Sequence, residues 1–291
     1  MRRVAGLILA VTFALLTCAV ASAQVHRATY PDEAKDRAEG AVERLSKTDA
    51  GKILLKSIEA HGGIEKWFAG KAIRFHYAYR PVEGPAKVGT QTVDLLGSRA
   101  YVDMEEPECR VGYLGERVWT TMAPKDFPAR FWALTPYYFT AVPFVFGDPG
   151  VKLAMFDEPD EASGLGATYK VKVTYEAGTG DAPDDYYVAY IDKKTNLLTG
   201  LKYVVSYKPF MKGEMKHTPE KLVVYSDFEP AGPLTIARTH TTYATNEDGS
   251  RGELRTNSKV SDFQYGVEFD ESKLQMPEKA MYDEALGPVE E

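Results

Sequence analysis

From Lys71 onward the hydrophobic pattern of this chain repeats every two residues, and this repeat constrains the fold more than any other feature. In the first run, residues 72–80, apolar or aromatic side chains alternate with mostly polar ones, as in a strand with one dry and one wet face. Short turns separate the runs, which favours antiparallel hairpins over helical crossovers. We therefore predict a mainly β (α+β) chain with one antiparallel sheet of about eleven strands. The ten further runs lie at 87–96, 99–105, 108–114, 116–122, 167–175, 186–191, 197–207, 219–228, 233–245 and 251–265.

Helices are predicted before the sheet. Residues 24–48 are rich in alanine and charge and have only a weak apolar face, so we expect them to form an exposed helical leader. Ser46 or Thr48 is placed to cap a second helix, with His61-Gly62-Gly63 as its stop. Residues 64–68 are expected to add one more helical turn. These helices should pack against the sheet.

The connecting segment Phe127–Gly147, called the aromatic segment below, holds eight aromatic residues among its 21 and Arg130 as its only charge. This much ring surface must lie in a core, on a partner or against a ligand. Pro128, Pro136 and Pro143 interrupt the segment, so we do not predict a membrane-spanning helix there. We interpret it as a hydrophobic flap over the sheet.

A flap of this kind suggests a hydrophobic ligand. Covering an acyl chain recovers roughly 0.8 kcal/mol per buried methylene, so rings that close over a hollow would shelter one favourably. The alternative is that the same rings only complete a fixed core over one face of the sheet. The residues predicted to bind the ligand are Phe131, Trp132, Tyr137, Tyr138, Phe139, Phe144 and Phe146.

The N-terminus has the features of an export signal, namely two arginines, an apolar run and then Ala21-Ser22-Ala23. We predict that residues 1–23 are removed and that the mature protein is secreted to the periplasm or cell envelope. A competing interpretation makes Cys18 the lipid-anchored first residue of a lipoprotein. No membrane-spanning segment is expected in the mature chain.

Charge and cysteine content limit the partners and the sources of stability. Removal of the signal would move the formal charge from −7 to −9, and an acidic surface repels phosphate backbones, so nucleic acid is not an expected partner. Cys109 would then be the only cysteine, so stability must come from the core. We assign residues 49–276 to one domain and expect residues 277–291 to form a disordered acidic tail.

Several motifs together resemble a known superfamily. They are the glycine-stopped helix EAHGGIEKW at 59–67, the Ile-Asp-x-x-Thr turn at 191–195, and an apolar stretch ending in Pro-Phe at 143–144 before Asp-Pro-Gly-Val at 148–151. With the long antiparallel run, they make the chain similar to the outer-membrane lipoprotein-sorting superfamily, and most similar to uncharacterised exported bacterial proteins of that clan. The resemblance implies an incomplete β-barrel, in which helices cover a strongly curved antiparallel sheet whose hollow accepts acyl chains.

Catalytic residues, cofactors and metal sites are not predicted. No two of the five histidines have i, i+4 spacing, and the chain has no serine-nucleophile, phosphate-loop or dinucleotide motif. Adjacent Asp184 and Asp185 point to opposite faces of an extended chain, so they cannot flank one bond as acid and base. We interpret them, together with Asp181, as a solvated loop. A metal site assembled from distant strands stays open.

These observations predict an exported, non-catalytic carrier or binding protein for a hydrophobic ligand, which would be an acyl chain, a lipid or a lipoprotein. An envelope protein is a further expected partner. Two alternatives stay open. One is a structural or interaction module with a filled core and no ligand, and the other is a hydrolase or lyase with its site in the hollow of the sheet.

Overall fold

The computed structural model describes residues 33–156, 163–182 and 184–286, so the predicted signal peptide and Cys18 lie outside the described residues. The strands are β1 Ala72–Pro81, β2 Lys87–Asp94, β3 Arg99–Glu106, β4 Glu108–Tyr113, β5 Val118–Thr120, β6 Val151–Met155, β7 Thr168–Tyr175, β8 Tyr187–Asp192, β9 Leu198–Tyr203, β10 Lys221–Ala231, β11 Leu234–Thr245, β12 Arg251–Tyr265 and β13 Met281–Tyr282. They form one open, curled antiparallel sheet in the order β13-β5-β4-β3-β2-β1-β12-β11-β10-β9-β8-β7-β6.

The predicted fold class is confirmed, and each of the eleven predicted strands is present. Two strands were missed, β6 and β13, and both lie at an edge of the sheet. The expectation of a disordered tail is wrong for its first residues, because Met281 and Tyr282 pair with Thr120 and Trp119. Asp283, which follows them, is buried. The domain boundaries themselves stay predictions.

Within the described residues, the α-helices are α1 Glu33–Ser46, α2 Asp49–Ala60, α3 Ile64–Ala69 and α4 Ala129–Ala141. Thr48 caps α2 as predicted, because its hydroxyl accepts a hydrogen bond of 3.0 Å from the Gly51 amide. The helix ends where predicted, and Gly62 follows with a φ of +123°, a conformation that favours glycine.

Helix α1 is not the exposed leader that we expected. Its apolar face, formed by Ala38, Ala41 and Leu45, is fully buried in the main core. The helix approaches α2 very closely, since a Cβ built on Gly51 would lie 2.0 Å from the Leu45 carbonyl oxygen. Gly51 permits this approach because it has no side chain, and the alanines that made the α1 face look weak are nevertheless buried in the core.

The aromatic segment folds into α4 and a 3-10 turn, Phe144–Gly147, which we call the anchor turn. Pro136 lies inside α4 and does not end it. In the part of the chain that the structure describes, no helix has both the length and the apolar character needed to cross a membrane.

Candidate functional site

Helix α4 lies in the hollow of the curled sheet and contacts both of its halves. On one side, the Gln91 side chain on β2 donates a hydrogen bond to the Ala133 carbonyl. On the other side, the Tyr138 hydroxyl meets the Tyr175 hydroxyl on β7. Because β2 and β7 lie in opposite halves of the strand order, these two contacts place the helix between the halves.

Arg130, in the first turn of α4, joins the two edges of the sheet. Its Nε and Nη2 atoms lie 2.5 and 2.7 Å from the two carboxylate oxygens of Asp181, in the β7–β8 loop. Its Nη1 atom donates to the Glu116 carbonyl in the β4–β5 turn at 2.7 Å. Its backbone amide donates to Asp283, just after β13, at 2.9 Å. We call this set of contacts the clasp.

The clasp corrects one prediction. Asp181 was interpreted as part of a solvated loop, but it forms a bidentate pair with a buried arginine. Asp185 is buried as well, where its carboxylate accepts hydrogen bonds of 2.5 and 2.7 Å from the amide and hydroxyl of Ser206. Burial raises the pKa of Asp185, and the Ser206 hydrogen bonds oppose that rise. Both carboxylates therefore hold loops in place.

The seven predicted ligand-binding rings fall into two groups. Phe144 and Phe146 belong to the anchor turn, are 1% exposed, and are part of the fixed core. The Phe144 ring stacks on Trp67 with a centroid distance of 4.4 Å and an interplanar angle of 6°.

The other five rings, all on α4, are only partly buried. Phe131 lies 4.7 Å, centroid to centroid, from the exposed Phe210 ring, and Trp132 lies 5.0 Å from Tyr79 on β1. The remaining three are Tyr137 (against Trp67), Tyr138 (against Tyr187) and Phe139 (against Tyr203). The structure thus brings these rings to one helix but does not gather all seven around one space.

A cavity of about 170 Å³ lies between α4, α1, α3 and the end of β2. An engineered cavity of about 150 Å³ with apolar walls accepts benzene, so this one has room for about six carbon atoms. Its apolar walls come from Trp67, Phe68, Val93, Leu95, Ala100, Ala133, Leu134 and Val145. Of the predicted ligand-binding residues, only Tyr137 lines it.

Four charged side chains also line the cavity, and two of them form an ion pair with each other. Arg99 donates to Asp94 at 2.8 Å, and Asp94 also accepts from the Leu96 and Gly97 amides, so this pair holds the β2–β3 turn. The other two are Arg37 and Asp148.

Arg37 and Asp148 are the functional candidates that the sequence did not reveal. Arg37 lies on α1, donates to the Leu95 carbonyl at 3.1 Å and rests 5.8 Å from the centre of the Phe68 ring. Burial raises the pKa of Asp148 to about 6, against the attraction of Arg37 and Arg44. The only sequence signal was the Asp-Pro-Gly turn, which we used as a packing motif.

Two buried histidines have structural roles. His61 is the C-cap of α2, and its ring also bridges two strands. Nδ1 donates to the Thr235 carbonyl at 2.9 Å, and Nε2 accepts from the Leu198 amide at 3.1 Å. Burial lowers the pKa of both His61 and His240 to about 4, so both are neutral at pH 7. Among the described residues, no group of three or more His, Cys, Asp and Glu side chains could hold a metal ion.

No protein-family model and no curated protein matches the chain. Solved structures that are similar include a LolA superfamily protein from Nitrosomonas europaea, with 10% identity, 78% of this chain and 98% of that chain covered, and a TM-score of 0.49. A DUF1329 family protein from Desulfovibrio piger has 11% identity, coverage of 84% and 98%, and a TM-score of 0.47. A domain from Vibrio parahaemolyticus, assigned as an outer membrane lipoprotein-sorting protein, has 7% identity, coverage of 77% and 94%, and a TM-score of 0.45.

These names agree with the superfamily that the sequence resembles.

Proposed function

We propose that this protein is an exported, non-catalytic carrier or binding protein that shelters the apolar part of a lipid or lipoprotein beneath α4. Removal of residues 1–23 and a location in the periplasm or cell envelope belong to the same proposal. The observation that carries it is the cavity of about 170 Å³ under a helix whose rings are only partly buried.

The cavity offers an apolar chain a place to begin binding. Its walls are mainly apolar and it lies against α4, so a short alkyl group could enter without disturbing the anchor turn. Each methylene buried there would contribute roughly 0.8 kcal/mol. The space accounts for about six carbon atoms, so a longer acyl chain requires α4 to move away from the sheet.

The way in which α4 is held supports such a movement. The clasp holds its first turn through several hydrogen bonds. Farther along the helix, the polar contacts are the hydrogen bonds of the Ala133 carbonyl with Gln91 and of the Tyr138 hydroxyl with Tyr175, and many of the other contacts are between rings. Burial of apolar surface is less directional than hydrogen bonding. If α4 moves away from Tyr187 and Tyr203, an acyl chain that enters between them would cover most of the apolar area that the movement exposes.

The direct test is ligand binding by delipidated protein. A neutral hydrophobic dye, N-phenyl-1-naphthylamine, should bind, and saturated fatty acids should displace it with affinity that rises with chain length. Native mass spectrometry of protein isolated from the periplasm should show copurifying lipid. Absence of both dye binding and copurifying lipid would contradict the proposal and leave the module with a filled core as the better description.

A matched pair of variants locates the binding site. Leu134→Trp replaces a leucine side chain in the cavity wall with the larger indole ring. This change should weaken dye binding by about tenfold or more. Leu254→Trp makes the same change at a position on β12 that is 43% exposed and does not line the cavity, and should leave binding unchanged. Equal effects of the two substitutions would show that the dye binds elsewhere.

A further inference from the structure

The charged side chains that line the cavity limit the kind of ligand that it can bind. Of the four charged residues there, Arg99 and Asp94 are paired with each other, which leaves Arg37 and Asp148 as the groups available to a ligand. In the described chain, Arg37 donates one hydrogen bond, to a backbone carbonyl, and forms no ion pair. The Asp148 backbone amide donates to the Val145 carbonyl, but the Asp148 carboxylate has no hydrogen bond or ion pair with any described residue, although Arg37 and Arg44 are near enough to affect its pKa.

Arg37 and Asp148 require opposite hydrogen-bonding partners, an acceptor for Arg37 and a donor for Asp148. The guanidinium of Arg37 has N–H donors to spare and no acceptor, while the carboxylate of Asp148 is an acceptor without a donor. Arg44 attracts Asp148 electrostatically but forms no hydrogen bond or ion pair with its carboxylate in the described chain, and its guanidinium donates to the Gly147 carbonyl at 2.6 and 3.2 Å. Glu33, also on α1, is near Arg37 but does not line the cavity.

We infer that the cavity takes the head of an amphiphile that carries a carboxamide, whose carbonyl accepts from Arg37 and whose N–H donates to Asp148. This inference rests on the proposed function and names the ligand class for the same site. A carboxylate or phosphate head would satisfy Arg37 but bring a second negative charge to Asp148. An ammonium head would satisfy Asp148 but bring a second positive charge to Arg37. A head without net charge that offers both an acceptor and a donor fits the two groups together, and a carboxamide is such a head.

The size of the cavity defines the probes. Three soluble compounds with six carbons, hexanamide, hexanoate and hexylamine, share one chain length and differ in the head group. Isothermal titration is done at pH 8, where Asp148, with its pKa of about 6, is ionised. Hexanamide should bind about tenfold or more tightly than hexanoate, as expected when a partly buried charged group gains a hydrogen-bond partner instead of a like charge.

Two substitutions should shift the preference in opposite directions. Arg37→Met keeps the apolar stem against Phe68 and removes the N–H donors. The affinity for hexylamine relative to that for hexanamide should therefore rise by about tenfold. Asp148→Ala removes the acceptor, so the affinity for hexanoate relative to that for hexanamide should rise by a similar factor. Asp126→Ala, an exposed position away from the cavity, should change none of the ratios.

The outcomes separate this inference from the proposed function. Hexanoate binding as tightly as hexanamide, or ratios unmoved by both substitutions, would overturn the inference. If none of the three compounds binds while long-chain fatty acids still displace the dye, the head-group assignment is wrong and the carrier proposal survives. If neither the short compounds nor the dye binds, both fail.

Discussion

The two parts of the aromatic segment have similar composition and opposite environments. The rings of the anchor turn are 1% exposed, whereas those of α4 are only partly buried. The anchor turn is enclosed by the N-terminal helices. Phe144 stacks on Trp67 of α3, and Arg44 of α1 donates to the Gly147 carbonyl at 2.6 Å. A Cβ added to Gly147 would lie 3.1 Å from the Ala41 Cβ, which leaves little space for movement.

Helix α4 has a different kind of support. It is held at its first turn by the clasp, and its rings rest against other rings rather than inside a closed core. Ring content alone therefore does not distinguish a fixed core from rings that can move. The distinction depends on whether other elements enclose the rings, as α1 and α3 enclose the anchor turn.

The largest expected effect is a loss of stability in Phe144→Ala. Removing a fully buried ring that stacks on Trp67 should lower the free energy of unfolding by about 3–5 kcal/mol, because the lost contacts leave a cavity in the enclosed core. Phe131→Ala removes the same atoms from a half-buried site on α4 and should cost about 1 kcal/mol. Urea denaturation followed by circular dichroism measures both. Equal losses would remove the distinction between the two parts.

The next effect concerns the clasp. Arg130→Met leaves Asp181 without its partner at a largely buried site, and should lower the free energy of unfolding by about 3 kcal/mol. Arg130→Met combined with Asp181→Leu should recover part of this loss, because no unpaired carboxylate remains. Arg80→Met, which breaks an ion pair exposed by 58% and 52%, should cost at most about 1 kcal/mol.

Hydrogen exchange shows where the clasp acts. In Arg130→Met, the amides of α4 should exchange faster while those of the central strands change only with global stability. If exchange accelerates equally in the anchor turn, the clasp stabilises the whole segment and α4 is not a separate movable part.

Acid should weaken the anchored side through His61, whose ring lies 6.3 Å from Phe144. Its pKa is about 4 in the folded protein against about 6.5 in the unfolded chain, so the unfolded state binds the proton first as pH falls. Stability is therefore complete above pH 6.5 and decreases as pH falls from 6.5 toward 4, by about 2 kcal/mol at pH 5.

The measurement compares two proteins because other groups titrate as well. The pKa of Asp148 is raised to about 6, so protonating that carboxylate has the opposite effect and adds stability as pH falls. His61→Gln should be less stable than the wild type at pH 7.5, and the gap should narrow by about 2 kcal/mol at pH 5. A gap that stays constant would show that His61 does not titrate in this range. His217→Gln, at an exposed position, is the control.

The sequence predicted the sheet well because strand formation here follows local pattern. The hairpin turn at Asp192 shows why. Its carboxylate accepts from the Lys194 and Thr195 amides at 3.0 and 2.7 Å, so the turn depends on residues two and three positions away. Strand β6 was not predicted because it is a short strand at the edge of the sheet. Strand β13 was not predicted because two residues are too few to show an alternating hydrophobic pattern.

The site was less predictable because its contacts join distant positions. Asp181 is 51 residues from Arg130, and nothing near either residue indicates the pair. Arg37 belongs to a helix whose alanine face looked exposed, and it becomes a cavity residue only when α1 packs beside the end of β2. The sequence did identify the aromatic segment as apolar chain that packs over the sheet, but it did not show which rings are fully buried.

The smallest expected effect, and the sharpest test of a movable α4, is Pro136→Ala. Proline inside a helix lacks the amide that would bond to the Trp132 carbonyl, so alanine should make α4 a more persistent helix. Global stability should change by only about 1 kcal/mol, because alanine also loosens the unfolded chain and fills less space. The α4 amides should exchange several-fold more slowly, and stopped-flow entry of the dye should slow by a similar factor. Pro219→Ala, at an exposed site before β10, should change neither rate. Dye entry that keeps its speed while α4 exchange slows would mean that ligands reach the cavity without displacing the helix.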